Sequence, residues 1–170
     1  MTRVFANIAI VVSAALLSAA SCSAPADLTG AGVASLDGDF GRDTLIILAD
    51  DGSRHELDIY VATSADQQRR GLMFVRKMAD NTGMLFVYED SDIHSMWMKN
   101  TYIPLDMIFA RADGSVSSVI HDTQPLSLSS HGSVEPVNFV LEINAGMARR
   151  MNIGRKSRII RGSTDKQNAQ

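Results

Sequence analysis

The chain has 170 residues, of which 45% are hydrophobic, and its 16 basic and 19 acidic side chains give a net charge of −3. This mildly acidic balance gives no electrostatic reason to expect a nucleic-acid duplex as partner. With a single cysteine no internal disulfide can form, so stability must come from the core, and a chain of about 150 residues, as remains without the first 21, buries about 68 to 70% of its unfolded surface.

At the N-terminus Arg3 precedes the apolar run Val4 to Leu17 and the small residues Ser18, Ala19, Ala20 and Ser21, the pattern of a targeting segment over residues 1–21. Cys22 follows Ala-Ala-Ser, which resembles the lipobox of bacterial lipoproteins, where the cysteine is lipidated and becomes the new N-terminus; Ala19 stands where leucine is typical. The alternatives are an ordinary cleaved secretory signal and an uncleaved anchor of about the minimum spanning length. All three place the domain outside the cytoplasm. The expectation is an exported periplasmic protein whose membrane partner is the lipid bilayer, reached through Cys22. Ser23 after the cysteine resembles outer-membrane sorting.

Residues 22–41 hold few large apolar groups among Ala, Gly, Asp, Ser and Pro, and read as a flexible tether. The folded domain is expected at 42–162 and a disordered tail at 163–170. In "TLIILADDGSRHELDIYVA" two β-rich runs flank Asp50, Asp51 and Gly52, a hairpin signature. Ser64 and Gln67 are spaced as a capping box, and Gly71 supplies the stop for a helix of two turns. Strands are expected at Gly83 to Tyr88, Ile93 to Lys99, Leu105 to Ala110, Ser115 to His121, Val137 to Ile143 and near Ser157 to Arg161, with a short helix between Gly146 and Ile153. Turn clusters lie at Glu89 to Asp92, Ala112 to Gly114 and Thr123 to Pro136. The class is mostly β: a single compact antiparallel sandwich or barrel-like domain with short helical insertions.

"SMWMKNTYIPLDMIF" (95–109) carries the candidate chemistry. Strand alternation puts Trp97 and Lys99 on one side and His94, Met96 and Met98 on the other. If the Met face is core, the amine lies beside the indole on another surface. Asp106 and Glu142 sit in apolar strands, where a carboxylate either points to solvent or is paired inside, because an unpaired buried charge costs several kcal/mol, about enough to unfold a marginal domain. With Arg70 at the helix end, and Asn100 and Thr101 as neutral partners, these groups form one candidate ligand pocket: Arg70, Trp97, Lys99, Asn100, Thr101, Asp106 and Glu142.

"RRGLMFVRKMADNTGMLFVYED", "SMWMKNTYIPLDMIFARADGSV" and "VLEINAG" resemble the three signature blocks of the bacterial and archaeal family called domain of unknown function 192. The resemblance covers roughly residues 45–161 and implies a compact, mostly antiparallel β-domain, often exported, with no established activity. Arg70, Lys99, Asn100, Thr101, Asp106 and Glu142 match signature polar positions. Met96 departs from the aromatic expected before the tryptophan.

His94, Met96 and Met98 also form a donor set suited to soft Cu(I) or Ag(I), although core filling by the methionines is the simpler reading. "EDSD" (89–92) offers oxygens to Ca²⁺ but lacks the EF-hand pattern and fits a solvated turn. Residues 149–161 hold six basic side chains and no acid, suited to an acidic surface or simply balanced by acids elsewhere. Hydrolase and phosphate-loop motifs are missing, and no cofactor is expected. The leading expectation is a non-catalytic module whose polar pocket binds a small anionic ligand or a segment of an envelope protein. The alternatives are an enzyme using Lys99 with Asp106 or Glu142 as acid and base, and a purely structural envelope component.

Overall fold

The computed structural model describes residues 36–162. The targeting segment, Cys22 and the tail from 163 lie outside them. Strands β1 (Gly41–Leu48) and β2 (Arg54–Ala62) form the expected hairpin, with Leu45 opposite Leu57 and Ile47 opposite His55. Asp51 accepts hydrogen bonds from the Ser53 backbone and hydroxyl, and Gly52 takes φ +83° at the turn. The expected capping box is present on α1 (Ala65–Arg70): Ser64 Oγ accepts from the Gln67 N–H, and the Gln67 side chain accepts from the Ser64 N–H.

Helix α1 lies in the crossover to β3 (Thr82–Asp92), which runs parallel to β2 from Asp58↔Thr82 to Ala62↔Phe86. Among the described strands this pair departs from the antiparallel expectation, and it follows from the helix carrying the chain back to the start of the sheet. The remaining elements are β4 (Ser95–Met96), β5 (Leu105–Ala110), β6 (Val116–Ile120), β7 (His131–Gly132), β8 (Val137–Asn144), α2 (Met147–Arg150) and β9 (Arg158–Arg161). Among the described residues seven strands form a curled sheet in the order β6-β5-β8-β3-β2-β1-β9, and β4 pairs with β7 in a separate ladder.

The two outer strands of the curl meet at one point. Ser115 bridges Arg158, the Ile159 N–H donates to the Gly114 carbonyl, and the Val116 N–H donates to the Ser157 carbonyl. Gly114 has φ +82°, and a Cβ there would lie 2.2 Å from the Ile159 carbonyl oxygen, so only glycine permits the approach.

Two apolar clusters form, one on each face. Leu45, Ile47, Leu57, Ile59, Leu85, Ile108, Leu141 and Ile143 fill the inside of the curl, with Met147 and Ala148 of α2 against them. On the other face Met84, Phe86, Met107, Phe109 and Val140 are covered by Leu72, Val75, Met96 and Met98 from the connecting segments. Every residue of β5 is therefore buried.

Several local expectations change. Only Ser95 and Met96 of the 93–99 run are in a strand, because Lys99 and Asn100 form a turn in which Asn100 takes φ +56°. Residues 89–92 extend β3 instead of turning, with a register break between Val87 and Asp92. The second helix is a single turn. Leu36 and Phe40, from the end of the expected tether, are buried in the outer cluster, so folded structure starts ahead of residue 42. No helix among the described residues is long and apolar enough to cross a membrane.

A cationic cleft over a buried glutamate

Strand β8 alternates its side chains between the two clusters. Its register puts Glu142 between Met84 of β3 and Met107 of β5, on the outer-cluster face. Glu142 is 4% exposed and has no hydrogen bond or ion pair among the described residues. Burial pushes its carboxyl up to about 8, so near neutral pH it holds a proton. Tyr88 stands nearby; its own burial, and then the negative charge of Glu142, push its phenol up to about 12.

Above Glu142 lies a narrow cleft of about 20 Å³, space for roughly one water. Its lining includes Gln68 and Arg70 at the end of α1, Met73, Phe86 and Met96, and Trp97, Lys99 and Thr101 from the loop after β4. The capping box fixes α1, and Gln68 Nε2 donates to the Val87 carbonyl at 2.8 Å, tying the helix to β3 beside Glu142. Arg70 pairs with Asp39 at 3.3 Å, and its Nε lies 3.5 Å from the Met73 carbonyl. Lys99 has its amine 5.0 Å from the centre of the Trp97 ring, which is 48% exposed. The alternation expected for this run thus holds: Met96 and Met98 are buried while Trp97 and Lys99 project outward together. With Arg70 engaged by Asp39 and Lys99 in solvent, neither cation offsets the desolvation of Glu142.

Of the seven residues expected in one pocket, Arg70, Trp97, Lys99, Thr101 and Glu142 line this cleft. Asn100 stands just behind it, its carbonyl accepting from the Phe74 N–H at 2.8 Å and its amide 3.9 Å from Met73 Sδ. Asp106 does not join them. It pairs in register with Ile143 and so points to the opposite face, where it is fully buried. There Oδ1 accepts from the Asp122 N–H and Oδ2 from the Ala148 N–H, both at 2.9 Å, and His121 Nδ1 is 3.8 Å away. Gly146 at the N-cap of α2 has no side chain, so Asp106 does the capping from the sheet. Residues placed by tertiary approach, Gln68 and Met73 among them, carried no local signal of a site.

His94 and Met96 share the inner side of the β4–β7 ladder. Met98 Sδ lies 3.2 Å from the Thr123 hydroxyl within the core. Among the described residues no three His, Cys, Asp or Glu side chains group as metal ligands, and the 89–92 acids are exposed. The basic stretch 149–161 is largely neutralised: Arg149 pairs with Asp122, Arg150 with Asp80 at 3.7 Å, Arg158 with Asp113 at 3.2 Å and Arg161 with Asp43 at 3.1 Å.

Fold and cleft together define a curled β-domain with a cation-rimmed crevice over an unpaired carboxyl. The chain belongs to the domain of unknown function 192 family (DUF192, described as an uncharacterized ACR), whose model matches residues 46–160. A crystal structure from Sinorhizobium meliloti 1021, of a protein provisionally named a transcription regulator, is 35% identical with a TM-score of 0.70, covering 72% of this chain and 95% of its own. A protein of unknown function from Novosphingobium aromaticivorans DSM 12444 is 29% identical with a TM-score of 0.68, covering 86% of this chain and 99% of its own. No curated protein matches the sequence.

Proposed function

We propose that this chain is a non-catalytic binding module of the cell envelope, exported and held to the membrane through a lipid on Cys22. Its cleft takes the anionic end of a small ligand or of a partner's extended segment. The observation that carries the reading is the buried, unpartnered Glu142 beneath Arg70 and Lys99. A cleft of about 20 Å³ admits a single functional group and no whole metabolite. A carboxylate entering it meets cations at the rim and, at the sheet, a protonated carboxyl able to donate a hydrogen bond.

The Lys99 amine-nucleophile reading has less support: a nucleophilic lysine needs a desolvated amine, and Lys99 is exposed beside Trp97. Asp106, on the other face, is out of reach as its acid. The regulator name of the Sinorhizobium protein brings little toward nucleic acid, since four of the six basic residues in 149–161 face aspartates.

The test is a thermal-shift titration of the full-length chain with succinate and with inorganic phosphate. A saturable rise in Tm that disappears in the Arg70→Ala/Lys99→Ala double variant is the expected result. If wild type and double variant respond alike, the cleft is not the binding site. Glu142→Gln, which keeps a donor, should still bind; loss of a catalytic turnover with binding retained would instead mark Glu142 as an acid. Replacing Cys22 by serine should release the protein from membranes.

A further inference from the structure

The β4–β7 ladder brings a histidine that is remote in sequence onto the same face as His94 and Met96. Met96 is directly opposite His131, and the pairing continues as the Ser133 N–H donates to the His94 carbonyl at 2.9 Å. Directly opposed side chains share a face, which puts His131 beside Met96, and His94 joins them through Tyr88, whose ring stacks on the imidazole and whose hydroxyl meets the Met96 sulfur. Directly opposed side chains have Cβ atoms about 4.5–5.5 Å apart and diagonal ones about 7–8 Å, within reach for two imidazoles and a thioether.

Both histidines have a buried Nε2 with no hydrogen-bond partner. Such atoms cost free energy unless something is bound to them. His94 is also held in place: its ring stacks on Tyr88 with centroids 3.5 Å apart and planes 13° from parallel, and its backbone N–H donates to Ser133 Oγ at 3.2 Å. Met96 Sδ lies 3.7 Å from the Tyr88 hydroxyl, which draws the thioether toward the same ring.

We propose that His94, Met96 and His131 form a binding site for a soft monovalent cation, Cu(I) or its surrogate Ag(I). Two imidazole nitrogens and one thioether suit these ions, and Met96 supplies its sulfur from the apolar cluster while the half-buried histidines stand at its edge. Met98, the third donor suggested by strand alternation, is replaced by His131, because Met98 lies past the end of β4 and is fully buried against Thr123. The site shares Met96 with the Glu142 cleft but none of its charged groups, so the two readings stand or fall separately.

The experiment is competition of the full-length chain, in detergent and under reducing conditions, with bicinchoninate for Cu(I), and direct titration with Ag(I). One equivalent should be captured. Affinity should drop at least about tenfold in His131→Ala and in His94→Ala. Met98→Leu and His55→Ala should leave it unchanged. Absence of stoichiometric capture, or a loss in Met98→Leu equal to that in His131→Ala, overturns the proposal. If a histidine variant does not fold, ¹⁵N spectra of the wild type decide: Ag(I) must shift the Nε2 resonances of His94 and His131 and leave those of His55 and His121 in place, and any other pattern refutes the site.

Discussion

Asp106 and Glu142 lie on neighbouring strands, one residue apart in register and on opposite faces of the same sheet, and both are removed from water. Asp106 receives two backbone N–H groups, so its burial is compensated and it works as a fastener between β5 and α2. Glu142 receives nothing, and its burial keeps it protonated near neutral pH. Burial by itself therefore does not mark a functional carboxylate; what separates the two is whether the fold supplies the partner or leaves that place open.

The largest effect should come from removing the satisfied group. Asp106→Ala strands the Asp122 and Ala148 N–H groups and should cost about 3 to 5 kcal/mol in urea unfolding. A loss below about 1 kcal/mol would erase the contrast between the faces. Glu142→Gln should have the opposite sign. The folded carboxyl keeps its proton up to about 8, whereas unfolded it releases it near 4.5. Between these values the folded state binds more protons than the unfolded, so stability is greatest below about 4.5 and falls as the pH rises through 8. Glu142→Gln should abolish this fall and stabilise the protein by a few kcal/mol at pH 8, at about 1.4 kcal/mol for each tenfold change in proton affinity. Tm measured from pH 4 to 9 in both proteins checks the sign. The smallest change is expected from Lys99→Met, within about 0.5 kcal/mol of wild type because its amine is in solvent beside Trp97. The same variant should weaken the response to succinate, separating recognition from stability.

Local patterns were readable from the residues alone. The Asp-Asp-Gly hairpin, the Ser64–Gln67 capping box and the outward pairing of Trp97 with Lys99 depend on neighbours within a few positions, where spacing and side-chain chemistry decide the outcome. Of the five pocket residues that converge only Glu142 comes from an apolar strand; Arg70 arrives with the helix end and Trp97, Lys99 and Thr101 with the loop after β4. Asp106 takes the face opposite the cleft, and the residues alone do not say so because β5 is covered on both faces and polarity does not report which face a residue takes. His131 gave no signal in the Ser-rich segment, because its value depends on pairing with Met96, a long-range register that turn chemistry does not encode. The parallel β2–β3 pair was hidden for the same reason.

Where Gly114 rests against Ile159, the outermost strands fasten to each other, so the sheet presents a shortened row of free main-chain donors and acceptors. Another polypeptide finds little to extend by strand addition there, which disfavours templated polymerisation in a crowded compartment. Recognition is left to side chains, and a bulkier residue at position 114 would unlatch the seam and expose that template.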